Sequence, residues 1–421
     1  MKLLSSIKRY NRIIANFFSL SLINGISYII ALFLVPYLLR ILGEEKYGAY
    51  LFVYVIAQYL LLFGNYGFKF STTRLISVNR DNIEKVNAIF NATIWTRFIL
   101  TLVASSIGFL LVVLFMESSD VLMYLFALGM VFGDILIPSW LFQGMEQMKY
   151  MTIATVVSKL VFAALIFVFI KSPDQYVYVL LLHSLGYIAS GVTSIYIAVR
   201  QFGVKLGLTT FAEIKEQLKE GWQIFISNIG IEVYRNSNVF LLGIFVGDAA
   251  AGIFGAVEKI MKAVQTLFNA LPMAVYPYIS RMFYNGVAAD NVTVLKRLLK
   301  WASLVLLPLM LILAVCNPLV AAYLDLPVEI VKWVLLLMLP ALFFGCLNYI
   351  AGIVGLVNLG ASGTFQRNIW VAGISSVALM LATCQQYSYY AASLAWTWAE
   401  TLLFVLCLLS LKRYKDFKIK P

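Results

Sequence analysis

Apolar segments of about 20 residues, separated by short polar turns, run through the whole chain and constrain its fold more than any other feature. A segment of this length crosses the hydrocarbon core of a bilayer as an α-helix. Because 62% of the 421 residues are hydrophobic and only 12% are charged, an ordinary soluble fold is excluded. The pattern predicts an all-α integral membrane protein with twelve transmembrane helices, at approximately 14–39, 48–68, 94–116, 121–142, 152–170, 176–199, 222–246, 250–279, 300–323, 331–357, 368–384 and 389–411.

Basic residues between these segments predict the orientation of the helices. With a cytoplasmic N-terminus, the inside segments hold 23 of the 32 Lys and Arg residues, and the outside segments hold Arg40, Lys46, Lys171 and Lys332. Cytoplasmic loops of membrane proteins carry such an excess, so both termini are predicted to be cytoplasmic. The net charge of +12 therefore needs no nucleic-acid partner. The first apolar run is also too long for a cleaved signal peptide.

A weak internal repeat indicates how the helices are grouped. A displacement of 204 residues places LGEEKYGAY over VGDAAAGIF, so that Gly43 matches Gly247 and Gly48 matches Gly252. This predicts two six-helix bundles, 1–200 and 222–421, related by a pseudo-two-fold axis along the membrane normal and joined by a cytoplasmic linker at 201–221. Transporters built in this way bind their substrate near the midplane.

Charged residues inside the predicted spans mark the candidate site. The seventh and eighth spans each carry one polar helical stripe, with Lys259 on the flank of the second: Asn228, Glu232 and Arg235, then Glu258, Lys262, Gln265 and Asn269. Each charge at the bilayer centre costs about 2.5 to 3.5 kcal/mol. The stripes predict either structural ion pairs or a water-filled cationic cavity. Because cations outnumber anions here, we favour a cavity that binds an anionic substrate, for which arginine is well suited to phosphate.

Three further charges lie within predicted spans of the first half. Lys159 and Arg97 are candidate substrate-binding residues of the cavity, although Arg97 is also close enough to a span end to reach the cytoplasmic interface instead. Asp134 is expected to pair with a cation or to bind a coupling proton, and Glu232 and Glu258 have the same two interpretations. The single histidine, His183, and four scattered cysteines predict no metal site and no cofactor beyond a coupling H+ or Na+.

An ordered set of short motifs carries a family resemblance over essentially the whole length: Asn24, Pro36, Leu42-Gly43, Tyr47-Gly48, Tyr66-Gly67, Thr73-Arg74, PSWLFQG at 138–144, Glu146, Glu220-Gly221-Trp222, Gly247, Gly252 and Glu258-Lys259. With twelve spans, this set resembles the Wzx-type flippases of bacterial O-antigen and related polysaccharide pathways. These belong to the superfamily that also includes multidrug and toxin extruders and lipid II flippases.

The resemblance implies a transporter, not an enzyme, in the bacterial inner membrane. Its expected substrate is an undecaprenyl-pyrophosphate-linked oligosaccharide, moved from the cytoplasmic to the periplasmic leaflet and contacted by Arg235, Lys259 and Lys262. Expected partners are membrane lipids and the polymerase and chain-length regulator of the same pathway. A cation-coupled drug extruder of the same fold is the alternative, although it would favour an acidic site. A membrane enzyme of polysaccharide assembly would need a sizeable external loop.

Overall fold

The computed structural model describes residues 2–285 and 288–413. Side chains are described throughout these ranges except at 2–24, 27–28, 227, 231, 233–235, 270–271, 273–278 and 280–292. Two residues singled out from the sequence, Asn24 and Arg235, therefore lie outside the described side chains. Within the described ranges the chain is helical apart from short turns, and it contains no β-strand.

The described chain forms α-helices of very different lengths. In order they are α1 Lys2–Asn65, α2 Phe68–Asn79, α3 Ile83–Phe115, α4 Ser118–Ile135, α5 Ser139–Gly144, α6 Met148–Phe169, α7 Tyr178–Phe202, α8 Phe211–Phe245, α9 Asp248–Asn285, α10 Ala288–Val315, α11 Asn317–Leu324, α12 Val328–Asn348 and α13 Ser362–Arg413. A 3-10 turn, Pro173–Val177, precedes α7, and a π-helical segment, Tyr349–Val357, continues α12.

The predicted membrane segments all fall largely on these helices. Eight stretches of the described residues are long and apolar enough to cross a membrane. The count is lower than the prediction partly because α1 joins the segments 14–39 and 48–68, and α13 joins 368–384 and 389–411. The prediction of an all-α, multi-pass membrane protein is confirmed. The number of crossings and the two six-helix bundles stay predictions.

Each of these two long helices contains one residue with non-helical backbone angles. Gly43 in α1 has φ 75° and ψ 170°, and Ser388 in α13 has φ 49° and ψ −130°. Glycine adopts a positive φ at no steric cost because it lacks a Cβ. Both residues lie at turns predicted from the sequence. The chain therefore changes direction where the apolar segments end, although hydrogen-bonded helix continues on either side.

The described contacts divide the chain into two compact units, of which the first comprises Met1–Ala31 and Phe52–Ile229. In this unit α7 packs against α4 and α6, and α2 packs against α5. Aromatic side chains such as Phe90, Trp140 and Phe142 fill a core cluster around α2, α3 and α5. The predicted linker is ordered here, because Asn87 and Asn91 of α3 accept from the backbone N–H groups of Lys205 and Gly207.

The second unit comprises Leu32–Leu51 and Gly230–Pro421. In this unit α12 packs against α13, and α9 contacts both of them. The segment 32–51 of α1 thus has its contacts with the second unit, whereas the first part of α8 has its contacts with the first. The predicted division of the chain at 200 and 222 stays a prediction. It differs from the contact-based units, in which α1 and α8 are each divided between the two units.

Candidate substrate-binding site

The polar stripe of α9 lies in the second unit and contains one close ion pair. Lys262 Nζ lies 2.9 Å from Glu258 Oε1, and the Glu258 side chain is 8% exposed whereas that of Lys262 is 32% exposed. The two residues are four positions apart, so successive helical turns bring their side chains together. This pairing is the structural interpretation left open by the sequence. It offsets the cost of burying Glu258 while leaving Lys262 partly exposed.

Lys259 contacts the second part of α1. Its Nζ donates a hydrogen bond to the Tyr47 hydroxyl at 3.3 Å. The same ammonium lies 5.5 Å from the ring centre of Tyr47 and 5.8 Å from that of Tyr50. Cation–π contacts of this kind replace part of the hydration of a lysine. The predicted cation is therefore held by two aromatic residues of the LGEEKYGAY segment.

A close helix crossing brings these residues together. A Cβ on Gly48 would overlap the carbonyl oxygen of Asp248, and a Cβ on Gly252 would overlap that of Glu44. The 204-residue displacement relates position 44 to 248 and position 48 to 252, so the two contacts correspond to each other. The contact explains why both positions are glycine, whereas the pseudo-two-fold axis stays a prediction.

A buried polar cluster between α9, α12 and α13 was missed by the sequence analysis. Asn348 Nδ2 donates to Glu400 Oε2 at 2.7 Å, and Trp396 Nε1 donates to Glu400 Oε1 at 3.4 Å. A Cβ on Gly345 would overlap the Gln265 amide and lie 3.1 Å from the Glu400 carboxyl carbon. An acidic residue within an apolar span is itself a functional signal. The isolated Glu400 in the last span could have been found on that ground.

The residues predicted on α8 are only partly described. Glu232 accepts a hydrogen bond from Asn236 Nδ2 at 2.9 Å, and Asn228 is half-buried. The predicted pairing of Glu232 with Arg235 involves a side chain outside the described residues. Asn228 has its contacts with the first unit and Glu232 with the second. Their joint role in substrate binding stays a prediction.

Arg97 in the first unit is 2% exposed and is surrounded by acceptors. Its Nη2 lies 2.6 Å from Asp134 Oδ2 and 3.1 Å from Asn65 Oδ1. Its Nε and Nη1 donate to the carbonyl oxygens of Gly64 and Ile135 at 3.3 and 3.2 Å. Asn65 also donates to Asp134. The guanidinium thus joins the ends of α1 and α4, and Asp134 has the cation partner that the sequence predicted.

Lys159 differs from Arg97 in its surroundings. It is half-buried on α6 and makes no hydrogen bond or ion pair with the described residues. An ammonium group retained at membrane depth without a local carboxylate is costly. Among the predicted cations whose side chains are described, Lys159 is therefore the one for which a structural pairing gives no explanation. Its substrate-binding role stays a prediction.

The structure thus separates the predicted residues into local groups. In the first unit it joins Arg97 to Asp134, and in the second it places Glu258, Lys259 and Lys262 on adjoining turns of α9. The α9 group presents ammonium groups that can bind an anion, and neither group pairs a nucleophile with a base. Among the residues that the structure describes, no three His, Cys, Asp or Glu side chains form a metal-binding group.

Comparison with known proteins agrees with a transport role. The polysaccharide biosynthesis protein family matches residues 13–283. A protein of Escherichia coli K12 named "Putative O-antigen transporter" is 27% identical over 404 residues, which cover 95% of this chain and 97% of the relative. A protein of the same name from Shigella dysenteriae is 30% identical over 267 residues, or 63% of this chain and 67% of the relative. The resemblance to Wzx-type flippases is confirmed.

Solved transporters share the fold. The lipid II flippase MurJ in an inward closed conformation superposes with a TM-score of 0.73 at 14% identity, covering 93% of this chain and 87% of that protein. An inward-facing multidrug resistance MATE transporter gives 0.68 at 11% identity, covering 92% and 98%. All these relatives are named as transporters or flippases, in agreement with the prediction that the chain is not an enzyme. The match over 13–283 shows that the chain belongs to the polysaccharide biosynthesis protein family.

Proposed function

We propose that the protein is a flippase that moves undecaprenyl-pyrophosphate-linked O-antigen or related polysaccharide units from the cytoplasmic to the periplasmic leaflet of the bacterial inner membrane. Family membership and the names of the O-antigen relatives support this substrate class. Transport would proceed by alternating access through a cationic cavity, with both termini in the cytoplasm. The polymerase and the chain-length regulator of the pathway are its proposed partners.

The observation that carries this proposal is the surroundings of three lysines on segments predicted to cross the membrane. Lys259 contacts aromatic rings, Lys159 makes no ion pair with the described residues, and Lys262 is partly exposed beside Glu258. A diphosphate is a dianionic or more highly charged group, so these ammonium groups can offset its charge in a low-dielectric setting. Arg235 is proposed as a further phosphate ligand because its guanidinium can donate two parallel hydrogen bonds.

The carboxylates are proposed as counter-ions or as binding sites for a coupling H+ or Na+. Asp134 and Glu258 each have a cation partner, which favours a counter-ion role for both. Glu232 and Glu400 accept hydrogen bonds from neutral side chains. Carboxylates without a cation partner of this kind would suit a cation-coupled drug extruder of the same fold. Such an extruder is the competing function.

Complementation of a deletion strain tests the proposal. The deletion should accumulate lipid-linked units in the cytoplasmic leaflet and lose surface polysaccharide, and the wild-type gene should restore both. We expect Arg235→Ala and Lys259→Ala to restore little polysaccharide at normal protein levels, whereas Arg235→Lys restores part. Lys332→Ala is the matched control, since Lys332 contacts Glu329 at the exposed start of α12. Normal polysaccharide in a deletion strain lacking other flippases would exclude the function.

A further inference from the structure

Tyr47 is a buried residue whose hydroxyl contacts Lys259, a residue that is predicted to bind the substrate. Its side chain is inaccessible to solvent, and its hydroxyl accepts a hydrogen bond from Lys259 Nζ at 3.3 Å. Tyr47 also forms a tilted aromatic contact with Tyr50, at 5.9 Å between ring centres. The ammonium lies within 6 Å of both rings. The two tyrosines therefore restrict where the flexible lysine side chain can place its charge.

The position of Tyr47 is fixed by the neighbouring helix crossing. Gly48 lies against the backbone of Asp248 and Gly252 with no space for a side chain. Farther along, a Cβ on Gly255 would lie 2.5 Å from Leu51 Cδ1. Because backbone contacts cannot be relieved by a change of rotamer, this part of α1 has little freedom to move along α9. The Tyr47 hydroxyl is consequently presented to Lys259 in one defined geometry.

A fixed ammonium has different consequences for ligands of different charge. Lysine has four rotatable side-chain bonds, and ordering such a chain costs conformational entropy. The contact with Tyr47 meets part of this cost before a ligand binds. A lipid-linked diphosphate carries two negative charges and a lipid-linked monophosphate carries one, so an ammonium that is held close to the bound phosphates gains more Coulomb energy with the first than with the second.

We propose that Tyr47 is a positioning residue for Lys259, and that the Tyr47–Lys259 contact sets a preference for lipid-linked diphosphates over lipid-linked monophosphates. This inference rests on the proposed function, since it assigns the chemical basis of selection to the same site. Tyr47 itself need not touch the phosphate. It acts by holding the ammonium that does.

Transport in proteoliposomes tests the inference directly. The full-length protein is reconstituted in phosphatidylethanolamine and phosphatidylglycerol vesicles with fluorescent polyprenyl-diphosphate-sugar or polyprenyl-monophosphate-sugar, and movement between leaflets is measured. Tyr47→Phe keeps the ring and removes only the hydroxyl. A lost hydrogen bond to a charged group corresponds to about a tenfold effect, so we expect the diphosphate preference to fall about tenfold. Tyr50→Phe is the matched control, because Tyr50 contacts the ammonium through its ring.

Combination with Lys259→Met distinguishes positioning from a structural role. If Tyr47 acts through Lys259, the double variant should show the same preference as Lys259→Met alone, because the ammonium that the Tyr47 hydroxyl holds is already absent. Unchanged preference in Tyr47→Phe, or a further tenfold loss in the double variant, would overturn the inference. Wild-type protein that moves neither lipid would instead overturn the proposed function.

A second variant serves if Tyr47→Phe does not fold. Lys259→Arg keeps the positive charge, but its planar guanidinium is longer and differs in shape from the ammonium held beside Tyr47. We expect it to transport both lipids with a diphosphate preference reduced towards that of Lys259→Met. A wild-type preference in Lys259→Arg would contradict a requirement for the Tyr47 contact.

Discussion

The backbones of Gly48 and Gly252 meet without intervening side chains. A Cβ on Gly48 would lie 2.9 Å from the Gly252 nitrogen, and one on Gly252 would lie 3.1 Å from the Gly48 nitrogen. Both glycines are buried, and both follow a turn glycine with positive φ, Gly43 at 75° and Gly247 at 122°. Small residues allow membrane helices to approach closely where there is little hydrophobic force to join them.

Alanine at either position should separate the two helices. Gly48→Ala and Gly252→Ala each place a methyl group on a backbone carbonyl, and such overpacking typically costs about 1 to 3 kcal/mol. We expect a lower thermal unfolding temperature in detergent and a lower yield of monodisperse protein. Gly363→Ala is the matched control, because nothing lies within 4 Å of its Cβ position. Wild-type unfolding temperatures for both crossing variants would contradict this packing.

Removal of Arg97 should affect folding more than selection of substrate. Arg97→Met leaves Asp134 without its cation partner and removes a donor from three carbonyl groups, and loss of one member of a buried ion pair costs about 3 to 5 kcal/mol. Lys159→Met removes a cation with no such partner among the described residues. We expect the first variant to accumulate poorly and the second to accumulate normally but export poorly.

The amount of folded protein in the membrane, measured beside export, separates the two effects. In Arg97→Met/Asp134→Leu both charges are absent, so this double variant should accumulate better than Arg97→Met. Normal accumulation of Arg97→Met with defective export would return Arg97 to the substrate-binding residues. Defective accumulation of Lys159→Met would assign Lys159 a structural role.

Sequence alone could predict features that depend on local order. The lengths of the apolar segments, the break at Gly43 and the i to i+4 spacing of Glu258 and Lys262 follow from helix geometry. The pairing of Arg97 with Asp134 depends on residues 37 positions apart. The sequence could predict that a charge such as Arg97 needs a partner. Whether that partner is Asp134 or an aqueous cavity depends on how α3 and α4 pack.

The Glu400 cluster also depends on contacts between residues that are distant in the sequence. Its partner Asn348 is 52 positions away, and the space for the Glu400 carboxylate depends on Gly345 lacking a side chain. Neither Asn348 nor Gly345 differs by itself from other small or polar residues of membrane helices. The contact between Lys259 and Tyr47 could not be predicted for the same reason, because the two residues are 212 positions apart. Such contacts become visible only when the helices are assembled.

Glu400 should contribute to stability through its hydrogen bonds. Glu400→Ala leaves the Trp396 indole without its acceptor and removes one of the two acceptors of the Asn348 amide, which keeps the Glu400 carbonyl oxygen. Each buried unsatisfied group costs about 1 to 3 kcal/mol. Glu400→Gln retains one acceptor oxygen and similar volume. We therefore expect the thermal unfolding temperature to follow the order wild type, Gln variant, Ala variant.

Export measured on the same variants separates this role from coupling. A Gln variant that is close to wild type in stability but defective in export would indicate that the charge or proton on Glu400 is needed for transport. Equal unfolding temperatures for Glu400→Ala and wild type would contradict the hydrogen-bonded cluster. Glu329→Ala is the control, since Glu329 is exposed and lies at the start of α12.

The start of α8 should lose stability in acid. Thr210 and Glu213 form reciprocal hydrogen bonds, in which Thr210 N–H donates to Glu213 Oε2 at 2.8 Å and Glu213 N–H donates to Thr210 Oγ1 at 3.3 Å. This is the capping-box arrangement, and loss of a threonine cap costs about 1 kcal/mol. Hydrogen bonds from the Thr210 backbone and from the Thr209 and Thr210 hydroxyls lower the pKa of Glu213 below its ordinary value of 4.5.

Because the folded-state pKa is the lower one, the carboxylate contributes stability above pH 4.5, and this contribution is lost as the pH falls through the folded-state value. Hydrogen exchange of the first α8 amides, corrected for intrinsic rates, should show opening become easier as the pH falls below that point. Glu213→Gln should remove this dependence, whereas Glu216→Gln on the same helix should retain it. Acid-sensitive opening that persists in Glu213→Gln would assign the effect to another group.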